Sequence, residues 1–155
     1  MSVAFRWATV GDARLLAEHR ARVWEEVGDW SVEAMAAQIP VWEEFNRRTV
    51  ADGAYVAAIA EEDGEALASG AILIQLAMPR PGFVSERAGR VQSVYVVPHA
   101  RRRGIARAIM GELLAAARER ALIFLTLHPS DEARHLYASL GFTPSDEMGF
   151  RLSEA

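Results

Sequence analysis

The 155-residue sequence has no cysteine and no lysine. The absence of cysteine excludes disulfides, thiolate metal sites and a cysteine nucleophile. Because all 17 basic residues are arginine, a lysine general base or Schiff base is also excluded. No apolar run approaches the roughly 18 residues that cross a bilayer, and no secretion signal is visible at the N-terminus. We therefore expect a cytoplasmic protein that does not associate with membranes.

Length and composition are those of one globular domain spanning residues 1–155, with 51% hydrophobic and 25% charged residues. The formal net charge of −4 argues against a nucleic-acid partner. The charge is uneven, however: residues 1–89 hold 8 arginines and 14 acidic residues, whereas residues 90–155 hold 9 and 7. A local basic site in the second half is compatible with this distribution. The histidines lack metal-ligand spacing, so we expect no metal.

Hydrophobic periodicity predicts a mixed α/β order of β-α-α-β-β-β-α-β-α-β. Strands are expected at residues 3–7, 54–60, 67–76, 91–97 and 122–127, with one or two more within 142–152. Helices are expected before Gly28, after a Ser31 cap, from about 103 to 120, and from 130 to 140. We expect Pro40 to limit or interrupt the second helix, residues 63–64 to form a hairpin turn, and residues 79–89 to form a loop.

Residues 94–108 form the segment that carries chemistry. A strand ends at Pro98, an arginine-rich turn follows, and a helix begins near Gly104 and Ala106. The first N–H groups of a helix lack partners and lie at the positive end of its dipole, so this end favours phosphate. The two small residues let a diphosphate approach the backbone, and neighbouring guanidinium groups neutralise its charge. Without this setting, an arginine run is more often a solvated surface.

The pattern Arg-x-x-Gly-x-Ala, at Arg101, Gly104 and Ala106, resembles the [QR]-x-x-G-x-[GA] signature of the GNAT family of N-acetyltransferases. Residues 130–142 resemble the family's second motif, Asn-x-x-Ala-x-x-x-Tyr-x-x-x-Gly-Phe. Its matching positions are Ala133, Tyr137, Gly141 and Phe142, while Ser130 stands where asparagine is usual. The likeness is to small bacterial members of unassigned substrate, among which homodimers are common.

This resemblance implies a single GNAT-like domain with a central, mixed, largely antiparallel sheet flanked by helices. Strands 91–97 and 122–127 would be parallel and splay apart around acetyl-CoA, the co-substrate. Backbone groups of Tyr95 and Val97 would pair with the pantetheine arm, and the N–H groups of residues 102–107 would cradle the pyrophosphate. The implied cofactor-binding residues are Tyr95, Val96, Val97, Arg101, Arg102, Arg103, Gly104, Ile105, Ala106, Arg107 and Ser130.

The same resemblance makes Tyr137 the general acid that protonates the leaving thiolate, although a lone tyrosine is more often a core aromatic. Family members often carry a base on the strands around the cleft, but those strands hold no carboxylate here. His128, Glu25 and Glu26 are the candidate bases, and a water chain without a dedicated base is the alternative. Without cysteine, we expect direct attack within a ternary complex.

All four tryptophans lie within the first 42 residues. We expect Trp7 in the core and Trp24, Trp30 and Trp42 near the acceptor site. With Glu25, Glu26 and Asp29, they would form an acidic, aromatic-lined pocket suited to a cationic amine. The alternative is ordinary helix packing with solvated carboxylates.

These expectations describe an acetyl-CoA-dependent N-acetyltransferase that acts on a primary amine of a small molecule or peptide. Three alternatives stay open. One is another nucleophile or a longer acyl chain on the same fold. The others are an inactive CoA-binding sensor and an interaction protein whose arginines bind an acidic partner. The sequence does not identify the acceptor.

Overall fold

A five-stranded sheet in the order β1-β2-β3-β4-β5 is the centre of the computed structural model, which describes residues 2–28 and 30–152. The strands are β1 (Ala4–Trp7), β2 (Tyr55–Glu62), β3 (Glu65–Leu76), β4 (Arg87–Val96) and β5 (Leu125–Thr126). The helices are α1 (Ala13–Val27), α2 (Val32–Ala51), α3 (Ile105–Glu119) and α4 (Arg134–Ser139), with 3₁₀ turns at Val10–Asp12 and Pro98–Ala100. Only β4 and β5 pair in parallel, so the expected mixed, largely antiparallel sheet is confirmed.

Both faces of the sheet are covered by helices. On one face α3 places Ile109, Met110 and Leu113 against the sheet, and each of these side chains is fully buried. On the other face α1 and α2 cover a smaller cluster that includes Leu16 and Ile59. This layering divides the molecule into an α3 side and an α1/α2 side, and the site uses both.

Helix α2 runs without a break through Pro40, contrary to the expected interruption. Ser31 caps it as predicted, because the Ser31 hydroxyl accepts a hydrogen bond from the Ala34 N–H at 3.1 Å. A proline removes its own N–H donor and its ring crowds the carbonyl four residues earlier, but packing against α1 supports the rest of the helix. Asn46, which is buried, donates through Nδ2 to the carbonyl of Ala13 at 3.1 Å and joins the two helices.

The hairpin between β2 and β3 confirms the turn predicted at residues 63–64. Asp63 and Gly64 have φ values of +52° and +79°, the left-handed pair of a type I′ turn. Such a turn follows the twist of its strands, so it fixes the register of β2 against β3.

Strand β4 begins at Arg87, within the segment expected to be a loop. The sequence pattern predicted a loop at Gly89, because glycine is usually depleted in strands. Here it allows close packing: a Cβ at Gly89 would lie 2.6 Å from side-chain carbons of both Ile72 and Leu125. Further along β4, Ser93 has a φ of +54° beside an irregularity in the β3–β4 register. The strand therefore bulges at Ser93.

Four other expectations were wrong in detail. β5 spans two residues instead of six, and α4 begins at Arg134 instead of 130. Residues 142–152 form no strand, and Met148, Phe150 and Leu152 are exposed. A two-residue β5 offers little edge on which further strands could pair. Trp7 is 44% exposed because β1 is an edge strand. Within 2–28 and 30–152, no helix has the length and apolarity needed to span a membrane.

Candidate functional site

Strands β4 and β5 pair over two positions only and then separate. Gly89 pairs with Leu125 and Arg90 with Thr126, and the Gly89 N–H donates to the carbonyl of Phe124 at 3.0 Å. From residue 91 to Val96, β4 has no β5 partner. This splay leaves one edge of β4 open, as the family resemblance implied.

The groups on this open edge differ from those expected. The Val97 N–H donates to the carbonyl of Leu67 at 2.9 Å, so it points toward β3. Because backbone groups alternate between the two edges of a strand, Tyr95, which pairs with Ser69, also points toward β3. The expectation that backbone groups of Tyr95 and Val97 face the opening is therefore wrong. Val96 presents its backbone there instead.

The turn after β4 exposes a run of backbone donors. Arg102 and Gly104 adopt left-handed conformations, with φ values of +63° and +78°. Among the residues that the structure describes, the N–H groups of 102–107 find no protein acceptor; the next, that of Ala108, donates to the Gly104 carbonyl. A Cβ at Gly104 would meet no atom within 4 Å, so the space before these donors is clear.

Most arginine side chains of this turn form hydrogen bonds to other parts of the protein. Arg103 forms two hydrogen bonds to Glu62, of 3.0 and 2.8 Å, and Arg107 donates to the Ser139 hydroxyl at 2.7 Å. Arg101 donates through Nε to the Val96 carbonyl at 3.0 Å and through Nη2 to Glu26 at 2.5 Å. Arg102 has no ion pair within the described part of the chain. Backbone N–H groups, more than guanidinium groups, are thus free to meet an anion.

Tyr137 lies on α4, and the hydrogen bond from Arg107 to Ser139 joins this helix to the first turn of α3. Its side chain is buried in the core cluster, with its ring edge-on to Phe142 at 5.8 Å between centroids. Burial raises the pKa of Tyr137, so the hydroxyl keeps its proton at neutral pH. Ser130 contributes to this helix end, since its hydroxyl accepts from the Ala133 N–H at 3.3 Å.

Two of the three candidate bases are engaged with arginines. Glu25 accepts from Arg22 at 2.8 and 3.0 Å, and Glu26 accepts from Arg101. His128 is exposed two residues beyond β5. The three candidates thus come from two places in the fold, the last turn of α1 and the segment after β5.

The acidic aromatic pocket is assembled only in part. Trp24 and Trp30 contact each other edge-on at 6.1 Å, but Trp30 is 47% exposed. Asp29 lies outside the described residues. Among the described residues, Glu25 and Glu26 are both bound to arginines, so neither supplies an unopposed carboxylate beside the two rings.

Two cavities on the α1/α2 side were not predicted from the sequence. One, of about 240 Å³, is lined by Arg20, Trp42, Phe45, Tyr55, Leu73 and Gln92, among others. The other, of about 450 Å³, lies between the loop after β3 and the paired ends of β4 and β5, and includes Arg90 and Thr126. A signal for Arg20 existed: it follows Leu16 by four residues, which places it on the buried face of α1.

His19 is a further buried group on α1. Its Nδ1 lies 2.7 Å from the Ser69 hydroxyl oxygen, and its ring lies 5.0 Å from that of Tyr95. Burial lowers the pKa of His19 to about 4, so the imidazole is neutral at pH 7. No cluster of metal-ligating side chains occurs among residues 2–28 and 30–152.

Comparisons with known proteins agree with this geometry. The sequence profile of the Acetyltransferase (GNAT) family matches residues 16–142. A GCN5-related N-acetyltransferase from Ralstonia eutropha JMP134 is 28% identical, with a TM-score of 0.88 over 97% of this chain and 99% of that one. A predicted acetyltransferase from Clostridium acetobutylicum, solved with acetyl-CoA, is 26% identical, with a TM-score of 0.87 over 98% and 96% of the two chains. No curated protein sequence matches the chain.

Proposed function

The chain belongs to the acetyltransferase (GNAT) family and is an N-acetyltransferase, and from this we propose that it acetylates a primary amine of a small molecule or peptide by direct attack in a ternary complex with acetyl-CoA. The observation that carries the proposal is the run of N–H groups at residues 102–107 beside the open edge of β4. An α-helix leaves its first four or so N–H groups without an intrahelical partner, and the turn before α3 extends this run to residues 102–107.

These donors fit the pyrophosphate of acetyl-CoA. The first turn of α3 adds the positive end of a 15-residue helix, which favours an anion at the same place. Gly104 leaves room for close approach, and Ile105 anchors the turn because its side chain is buried in the core. The Arg102 guanidinium is available to neutralise further phosphate charge.

The open edge of β4 fits the pantetheine arm. An extended amide chain can add to a strand edge through backbone hydrogen bonds, as an extra strand does. Val96 provides the N–H group that points to this edge, in place of Tyr95 and Val97. The Val96 carbonyl already accepts from Arg101 Nε. Strand β5 pairs with β4 only at Gly89 and Arg90, so it does not cover this edge beyond residue 90.

When bound, acetyl-CoA supplies a thioester whose acetyl carbon accepts the amine. The new C–N bond forms as the C–S bond breaks, and the electron pair of that bond leaves with sulfur. Tyr137 is the candidate that gives its hydroxyl proton to the sulfur, since a tyrosine carries that proton at neutral pH and burial raises its pKa further. The absence of cysteine leaves direct attack as the simplest route.

The amine must lose a proton, and we assign its removal to His128 or to water. Glu25 and Glu26 are poorer candidates, since arginines already bind their oxygens. Ser130, by contrast, is kept in the proposed cofactor site: its hydroxyl has a second lone pair beside its bond to Ala133.

Thiol release from acetyl-CoA in the presence of a panel of primary amines tests the proposal. We expect release that depends on one class of amine, with the acetylated product seen by mass spectrometry. Acetyl-CoA binding without turnover on any amine would point to a CoA-binding sensor. If the protein neither binds acetyl-CoA nor turns over any amine, the arginine-rich turn would instead be a surface for an acidic partner.

A further inference from the structure

Arg20 occupies an unusual position on α1. Its side chain is half-buried and lines the 240 Å³ cavity between α1, α2 and the sheet. The guanidinium carbon lies 5.6 Å from the ring centre of Trp24 and 5.1 Å from that of Trp42. Two indoles therefore hold the guanidinium by cation–π contact.

The hydrogen bonds that Arg20 makes to the described residues are all to neutral groups. Its Nη1 donates to the Gln92 side-chain oxygen at 3.1 Å and to the Ser93 hydroxyl at 2.9 Å. Within residues 2–28 and 30–152, no carboxylate lies at ion-pair distance from Arg20. By contrast, Arg14 and Arg22 on the same helix pair with Glu18 and Glu25. Burial accordingly lowers the pKa of Arg20, which marks a desolvated cation without a compensating charge.

The free edge of this guanidinium has the shape of a carboxylate site. Both known hydrogen bonds use Nη1, and Nε and Nη2 donate to none of the described residues. Nε–H and Nη2–H are parallel donors that match the two oxygens of a carboxylate. A half-buried cation is costly to leave without a counter-charge, and a ligand carboxylate removes that cost.

Other arginines near Arg20 add further positive charge on this side of the sheet. Arg90 lies two residues before Gln92, so both side chains point to the α1/α2 face. Arg90 lines the second cavity and donates through Nη1 to the Thr126 hydroxyl at 3.4 Å. Arg80 lines the same cavity, where Glu147 is the one carboxylate among the lining residues. The two cavities thus carry more positive than negative charge.

The position of Arg20 also connects it to the proposed chemistry. Gln92 and Ser93 lie where β4 has just separated from β5, and the open edge begins there. A ligand held by Arg20 would therefore lie on the face opposite α3, at the start of the splay. An acceptor approaching from this side would not compete with acetyl-CoA for the phosphate-binding turn.

From these contacts we infer that the acceptor amine also carries a carboxylate, as an amino acid does, and that Arg20 binds this carboxylate through Nε and Nη2. The inference rests on the proposed function and specifies its substrate class. The smaller cavity, at about 240 Å³, is below the roughly 300–1,000 Å³ usual for drug-sized ligands, so the acceptor is small.

The test compares the twenty common L-amino acids with their carboxamides, which keep the amine and lose the charge. Turnover is followed by thiol release, and binding by the melting temperature of the protein loaded with acetyl-CoA. We expect the acetylated amino acids to exceed their amides at least tenfold in kcat/KM. Arg20→Gln should lower kcat/KM for these acids roughly 10- to 100-fold and leave the amides nearly unchanged.

Arg20→Lys keeps the positive charge but loses the two parallel donors of the guanidinium. It should therefore recover only part of the kcat/KM lost in Arg20→Gln. Arg118→Gln, the same change at an exposed position of α3, is the matched control and should change kcat/KM less than about threefold. Phosphoethanolamine against ethanolamine separates a phosphate site from a carboxylate site.

Three outcomes would overturn the inference. One is no amino acid exceeding its amide in turnover or in melting temperature, and another is an equal loss for acids and amides in Arg20→Gln. The third is a preference for phosphoethanolamine over every amino acid. If acetyl-CoA itself raises the melting temperature of the wild type and of Arg20→Gln, such failures concern the acceptor alone. If it raises neither, the proposed function has failed as well.

Discussion

Arg101 Nη2 lies 2.5 Å from Glu26 Oε1, which joins the first arginine of the phosphate-binding turn to the last turn of α1. The same guanidinium lies 5.7 Å from the ring centre of Tyr95 and holds the Val96 carbonyl. Arg101 therefore connects the end of β4 to α1. A residue expected to bind the cofactor and one expected to be a base are thus partners of each other.

This pairing predicts that Glu26→Gln leaves catalysis nearly intact. The pair is exposed, with 41% and 45% of the two side chains accessible, so its loss should cost at most about 1 kcal/mol of stability. We expect kcat within about threefold of the wild type and an unshifted pH profile. Glu44→Gln, at another exposed arginine pair, is the control. A hundredfold fall in kcat, with loss of the acidic limb of the pH profile, would restore Glu26 as the base.

His128→Gln tests the remaining base candidate. If His128 accepts the amine proton, kcat/KM should fall about tenfold or more below pH 8, and the fall should diminish at high pH, where the amine is already neutral. His99→Gln, at another exposed histidine, is the control. Unchanged activity across the pH range would assign proton removal to water.

Tyr137→Phe tests the general acid. The substitution keeps the buried ring against Phe142 and removes only the hydroxyl, so the fold should persist. We expect kcat to fall about 100-fold or more, while the calorimetric Kd for acetyl-CoA changes less than twofold. Wild-type turnover by this variant would show that Tyr137 is a core aromatic only.

Gly104→Ala tests the phosphate-binding turn, with Gly53→Ala as its matched control. Both glycines have φ near +80°, and neither has an atom within 4 Å of a built Cβ. Each substitution should therefore cost about 1 kcal/mol of stability through backbone strain. Only Gly104→Ala should weaken acetyl-CoA binding, by tenfold or more, because its methyl group enters the phosphate space. Equal affinities of the two variants for acetyl-CoA would show that this turn does not bind the phosphate.

The buried His19 predicts a pH dependence of stability. Its pKa is lowered from 6.5 to about 4 in the folded state, so between these values the unfolded chain binds more protons. The contribution is fully present above pH 6.5 and is lost as pH falls toward 4, with a total on the order of 3 kcal/mol. His19→Gln should flatten urea-derived stability over this window. A wild-type profile that is already flat there would contradict the burial of a neutral imidazole.

Periodicity and turn chemistry predicted most of the fold. Asp63-Gly64 specifies its turn locally, and Ser31 caps α2 through its own neighbours, so both were readable. Gly89 and Pro40 were not, because their effects depend on distant packing: Ile72 and Leu125 press on Gly89, and α1 supports the helix around Pro40. Residues 142–152 have strand-like alternation but no long edge to pair with.

In the site too, features set by neighbouring residues were predictable, and features set by distant contacts were not. The phosphate-binding turn is contiguous in sequence, so its backbone donors and Gly104 were predictable from local pattern. The assignment of Tyr95 and Val97 failed, since the edge that each residue faces depends on the bulge at Ser93. The spacing of Arg20 from Leu16 indicated a buried face of α1, but its role could not be predicted, because its partners Trp42 and Gln92 come from other elements.

The melting temperature with and without saturating acetyl-CoA tests the central claim most directly. Ligand at about a hundred times its Kd stabilises the folded state by roughly 2.7 kcal/mol, which for a chain of this length is a rise of about 5–10 °C. We predict such a rise for the wild type and a smaller one for Gly104→Ala at the same concentration. No rise, together with no heat of binding by calorimetry, would contradict acetyl-CoA binding and with it the proposed function.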